Sequence, residues 1–186
     1  MKKEKGFTLV EMLVCVAIIG AISGASLVYF RGGNRTWALI RATQAFTQDV
    51  RRASNMALSS PKITCGETEY SPKGYGIYFN KTGNANTYIL FGNLTTGDNA
   101  YDAPTSGCYS TGSDVIIETI TIEAGVKMQS LSAPSGVDYI SIVFVPPDPT
   151  VNFSNGADSL IAVLSLLDGA QTRQVTINNK GNINTD

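Results

Sequence analysis

Met1-Lys2-Lys3-Glu4-Lys5-Gly6-Phe7-Thr8-Leu9-Val10-Glu11-Met12-Leu13-Val14 opens the chain with a short basic leader, a glycine and the start of a long apolar run holding one carboxylate. From Phe7 to Phe30 about 24 residues pass with no charge except Glu11, more than the roughly 20 that carry a helix across a bilayer. A carboxylate in mid-bilayer costs on the order of 2.5–3.5 kcal/mol, less near the interface, so Glu11 calls for a partner. An ordinary secretory signal has an apolar core of about 7–15 residues and a small-residue cleavage site; this run is longer and no such site follows. Arg31-Gly32-Gly33-Asn34-Arg35 reads instead as a membrane exit, and Lys2, Lys3 and Lys5 put the leader on the cytoplasmic side by the positive-inside rule. An uncleaved anchor would account for all of this except Gly6 and Glu11.

Setting leader and span aside leaves about 155 of the 186 residues, a common size for one compact domain. The formal charge is −1 and histidine is absent, so neither a strongly basic surface nor an imidazole centre is on offer. The chain has no Gly-rich phosphate loop, no H-E-x-x-H and no nucleophile elbow, and is read as a non-enzyme without cofactor or metal. Asp98, Asp102 and Asp114 match no EF-hand spacing and are expected to be solvated loop acids. Trp37, beside Arg35 and Arg41, is expected at a membrane interface or in subunit packing. Of three cysteines, Cys15 lies in the apolar run and reads as a small buried hydrophobe. Cys65 and Cys108 fall in polar segments beyond the span, where an oxidising compartment favours a disulfide; their spacing fits no zinc pattern. Closing a loop of that length contributes roughly 4 kcal/mol in the chain-entropy model.

Gly32-Gly33-Asn34 predicts a bend or melted turn just beyond the span, and since no proline interrupts residues 7–60, one long helix with a glycine-softened joint is the economical description. Helical periodicity resumes over 36–59, with Leu39, Phe46, Val50, Ala53 and Ala57 on one face and Ala42 and Ile40 alongside. Ser59-Ser60-Pro61 stops it. After Pro61 the pattern becomes short alternating runs. Tyr75 to Phe79 and Thr87 to Phe91 read as a hairpin with a long loop, and further strands are expected at Val115 to Glu123, Tyr139 to Val145, Leu160 to Leu166 and Arg173 to Asn178. Pro146-Pro147-Asp148-Pro149 is expected to be an exposed connection, and 92–113 a variable surface loop. A helix laid on antiparallel sheet is an α+β fold.

Gly6-Phe7-Thr8-Leu9-Val10-Glu11 resembles the processing site of type IV prepilins and pseudopilins. The resemblance implies a leader at 1–6 cut from Phe7 by a prepilin peptidase and methyltransferase, N-methylation of Phe7, a retained transmembrane and filament-core helix at 7–30, and an extracytoplasmic domain at 31–186. It also implies that Glu11 meets the N-terminal amine of a neighbouring subunit. Buried charges of that kind are tolerable only when paired. The partners so implied are other pilin or pseudopilin subunits, an inner-membrane assembly platform and membrane lipid. The protein would sit single-pass in a bacterial inner membrane, N-terminus cytoplasmic, and then in a periplasmic or cell-surface filament. The segment from Phe46 to Ala57, a glycine-aromatic strand and Thr172 to Ile183 are similar to the GspH/FimT group of minor pilins and pseudopilins, in which two β-sheets pack against the extended helix. Read from the residues alone, those segments are an amphipathic helix and a terminal hairpin turning at Asn179-Lys180-Gly181. The function implied is a structural subunit, minor rather than major, of a type IV pilus or a type II secretion pseudopilus. The alternative is a DNA-binding minor pilin serving natural transformation. DNA-binding members carry a basic cluster near the C-terminus, where this chain has only Arg173 and Lys180 among asparagines, whereas phosphate binding needs several cations.

Overall fold

The computed structural model describes residues 6–95, 99–133, 136–147 and 150–186, with backbone alone at 27–33 and 84. The chain divides into two compact units, one ending at Trp37 and one running from Ala38 to Asp186. Helix α1, Leu9–Ser59, contributes to both. In the first unit the stretch Leu9–Ser26 is, among the described residues, the one helix long and apolar enough to cross a membrane, and none of it is buried. Cys15, expected as a buried hydrophobe, is exposed there within the isolated chain.

The one long helix expected across 7–60 is present, and the melted turn expected at its glycine joint is corrected: the backbone stays helical through both glycines. Each glycine costs roughly 1 kcal/mol relative to alanine. Propagating a helix already nucleated on either side absorbs that cost.

In the second unit α1 buries Ala38, Leu39, Ala42, Phe46, Val50, Ala53 and Ala57, the face expected from the 3.6-residue period, with Ile40 only half-buried. Thr43 and Thr47 join that face as buried polar residues. Each donates its hydroxyl to the carbonyl four residues back, so neither is left unsatisfied. The helix ends at Ser59, with Ser60 at a φ of 44° before Pro61.

Beyond it come β1 (Ile63–Cys65) and β2 (Thr68–Tyr70), a small antiparallel pair absent from the sequence expectations. Strands β3 (Gly74–Asn80) and β4 (Thr87–Asn93) form the expected hairpin. Its connection is not a plain loop, because the helical turn α2 (Lys81–Asn84) is capped by Asn80 Oδ1 accepting from Gly83 N at 2.7 Å. Next come β5 (Val115–Thr121), β6 (Val126–Ser132), β7 (Gly136–Val137), β8 (Tyr139–Val145), β9 (Thr150–Phe153), β10 (Ser159–Leu166), β11 (Thr172–Asn178) and β12 (Ile183–Thr185). The strand expected to reach Glu123 stops at Thr121, which frees Glu123 to pair with Arg41 on α1. In the proline-rich connection Pro147 is exposed as expected; Asp148 and Pro149 lie outside the described residues.

Two five-stranded antiparallel sheets result, in the orders β5-β4-β3-β8-β9 and β12-β11-β10-β6-β7. Their inner faces share one apolar core with α1: Phe46 lies 5.3 Å from Phe79 and 5.6 Å from Tyr88 by ring centroids, and Leu160, Ala162, Leu164, Val175 and Ile177 complete it from the other sheet. This is an α+β architecture, like that of type IV pilins.

Candidate functional site

The N-terminal end of α1 is built as a reciprocal cap. Thr8 precedes the first helical residue, and Glu11 follows it by three, the S/T-x-x-E spacing that satisfies orphan amides at a helix start. Glu11 N donates to Thr8 Oγ1 at 3.2 Å, while Glu11 Oε2 accepts from Thr8 N at 3.1 Å and from Thr8 Oγ1 at 3.0 Å. The partner that Glu11 calls for on sequence grounds is therefore, within one chain, its own helix terminus, where the helix dipole also favours an anion. Oε1 makes no hydrogen bond among the described residues and is open to a second partner.

Phe7 stands 80% exposed beside this cap. Around Gly6 a methyl group would meet no described atom within 4 Å, and its φ lies outside the left-handed region. Nothing in the described fold therefore calls for glycine at position 6.

The second sequence-derived site is the disulfide. Cys65 and Cys108 are bonded, with Cα atoms 6.0 Å apart, joining β1 to the segment 94–114. In the stretch 92–113, expected as a surface loop, the described residues around Tyr101 are packed down on the outer face of the first sheet. Tyr101 lies 4.9 Å from Phe91 and 4.7 Å from Tyr78 by ring centroids, and its amide donates to Ser141 Oγ. Tyr109 stacks 4.3 Å from Tyr70. Room for the overlay comes from Gly76, where a Cβ would sit 2.8 Å from the Phe91 ring and 2.6 Å from Ile142 O. Burial first, then the nearby Asp114 and Tyr78, push the Tyr101 phenol up to about 12. Tyr88, buried and bonded to Asp49 Oδ2 at 2.5 Å, is raised further in the same direction.

Asp114 is a correction. It is fully buried rather than solvated, and its two oxygens accept from Leu94 N and Asp102 N, each at 3.0 Å. The carboxylate ties the ends of the loop together by charge-assisted hydrogen bonds to backbone. Asp98 lies outside the described residues. Among the described residues no three His, Cys, Asp or Glu side chains converge as metal ligands.

Trp37 is 61% exposed at the end of the first unit. Arg173 is half-buried on β11, and Lys180 is exposed on the turn before β12, which Gly181 closes with a φ of 78°. Sequence reasoning passed over Thr8, although the T-x-x-E spacing was legible. It also passed over a groove of about 410 Å³ in which Arg51, Ser54 and Asn55 of α1 face Asn182, Ile183 and Asn184. No linear pattern joins those two segments.

Residues 1–27 match the prokaryotic N-terminal methylation motif. The methylation motif is typical of type IV prepilins and pseudopilins, and it covers the basic N-terminal residues, Gly6, Phe7, the Thr8–Glu11 cap and the whole exposed apolar stretch. It supports a type IV pilin-like or pseudopilin precursor, and with the one such apolar helix among the described residues it fits a membrane-anchored pilin. It further implies processing by prepilin peptidase and assembly with other pilins. Comparison with curated proteins and with solved structures finds no match.

Proposed function

We propose that this chain is a structural subunit, a minor pilin or pseudopilin of the GspH/FimT type, serving a type IV pilus or a type II secretion pseudopilus. The leader 1–6 is cut between Gly6 and Phe7, Phe7 is N-methylated, and 7–30 holds the mature protein in the bacterial inner membrane until the domain 31–186 enters a filament. One observation carries the reading: an uncovered apolar helix whose single carboxylate is self-capped through one oxygen, placed just behind a glycine around which no described atom would meet a side chain. In the filament, Glu11 Oε1 meets the amine of Phe7 on a neighbouring subunit while Oε2 keeps its cap.

Two measurements test this. Intact mass from cells holding the peptidase should show loss of residues 1–6 plus one methyl group; an uncut Met1 would leave only a plain anchor. Glu11→Ala should insert and be cleaved but fail to assemble. Breaking a buried charge pair costs about 3–5 kcal/mol, which is roughly a hundredfold or more in the filament-to-membrane ratio. Unchanged incorporation would end the pairing role.

A further inference from the structure

The groove between α1 and the C-terminal hairpin combines two features. One is an uncommitted cation. Arg41 and Arg52 on the same helix are paired with Glu123 at 2.5 Å and Glu118 at 2.6 Å, whereas Arg51, which lines the groove, makes no ion pair among the described residues. The side-chain amides of Asn55, Asn182 and Asn184 likewise make no hydrogen bond among the described residues.

The other feature is an open strand edge. β12 is the last strand of its sheet and pairs only with β11. Asp186 N donates to Gln174 O, and Asn178 N to Asn182 O, so the even-numbered residues of β12 face the ladder. In an antiparallel pair the alternate residues then turn their N–H and C=O away from it. Ile183 is one of these, and it lines the groove.

We propose that this groove binds an extended peptide segment carrying a carboxylate, supplied by a partner protein. The segment adds to the β12 edge through the Ile183 amide and carbonyl, and its peptide groups meet the Asn55, Asn182 and Asn184 amides. Its acidic side chain forms a bidentate pair with Arg51. A single lining arginine suits one carboxylate better than a phosphate backbone, which needs several cations spaced along its length. The proposal goes beyond the filament reading and does not depend on it.

The test uses the full chain, isotope-labelled in detergent micelles, with the blocked peptide acetyl-Val-Thr-Asp-Thr-Val-amide and its Asp-to-Asn counterpart as probes. The Asp peptide should shift the side-chain amide signals of Asn55, Asn182 and Asn184 and slow hydrogen exchange at Ile183 N. The Asn peptide should bind roughly tenfold more weakly or worse, and Arg51→Ala should make the two peptides equal. Arg51 is exposed, so this variant keeps the fold, which unchanged signals from the Leu160 and Val175 core would verify. The proposal is overturned by any of three results: no response at millimolar peptide, equal affinity for both peptides on the unaltered chain, or a groove that answers duplex DNA in a salt-dependent way while ignoring both peptides.

Discussion

Gly76→Ala is the substitution whose outcome the structure constrains most tightly. Gly76 sits on β3, the central strand of its sheet, flanked by β4 and β8. The added methyl would stand 2.6 Å from Ile142 O and 2.8 Å from the Phe91 ring, both well inside the 3.4 Å where ordinary contact begins. The ring cannot swing away, because Phe91 is fully buried beneath Tyr101, and Ile142 O belongs to a strand already registered against β3. Overpacking costs about 1–3 kcal/mol, and a clash with backbone belongs at the upper end. About 3 kcal/mol in a domain of this size lowers Tm by roughly 6–12 °C. Urea and thermal melts of the detergent-solubilised chain, followed by circular dichroism, would read it. Gly76→Ala combined with Phe91→Leu relieves the ring contact but not the carbonyl one, so it should not recover wild-type stability. A single variant within 1 kcal/mol of the parent would refute the packing argument.

Asp114→Asn places an amide donor against one of two backbone N–H groups, so stability should fall by about 2–4 kcal/mol, with hydrogen exchange accelerated at Leu94 and Asp102; exchange unchanged at both would remove the loop-tying role. Tyr101 is raised from its ordinary value near 10 to about 12, and its neutral form is the one the fold favours. Its contribution to stability should therefore be full below pH 10 and disappear as pH climbs toward 12. Spectrophotometric titration of Tyr101→Phe against the parent checks this: the tyrosine lost in the variant should be one that titrates about two pH units late, and loss of one titrating near 10 would contradict it. Thr8→Ala should cost the helix start about 1 kcal/mol and speed exchange at the Glu11 amide several-fold, with Thr8→Ser close to the parent; equal rates in all three would mean the cap is not formed.

The N-terminal half of α1, its amphipathic face and the principal strands were legible because each depends on local periodicity: Phe46, Val50, Ala53 and Ala57 fall on one side whatever lies opposite. The disulfide was legible from compartment and context. Less visible were features fixed by partners distant in sequence. Strand β6 reads Val126-Lys127-Met128-Gln129-Ser130-Leu131-Ser132, an alternation blurred by a register shift opposite Val163 and Leu164. The short β1, β2, β7 and β9 are each too brief to show a period and exist because a longer neighbour or a small pair registers them. Asp114 looks like any loop acid until Leu94 and Asp102 close on it. The single long helix was legible from the absence of proline, and only the melted turn at Gly32-Gly33 was over-read, since local propensity is weaker there than propagation from both sides.

The fastened loop also makes an opening for engineering. Asp114, Tyr101 and Cys108 hold its ends and flank while Thr105, Ser106 and Gly107 point into solvent. Inserted residues at that tip would hang outside all of the anchors, and each doubling of loop length adds only about 0.6 kcal/mol of closure entropy. A fluorophore-binding tag or an antibody epitope grafted between Ser106 and Gly107 would then be displayed at a fixed place on the domain.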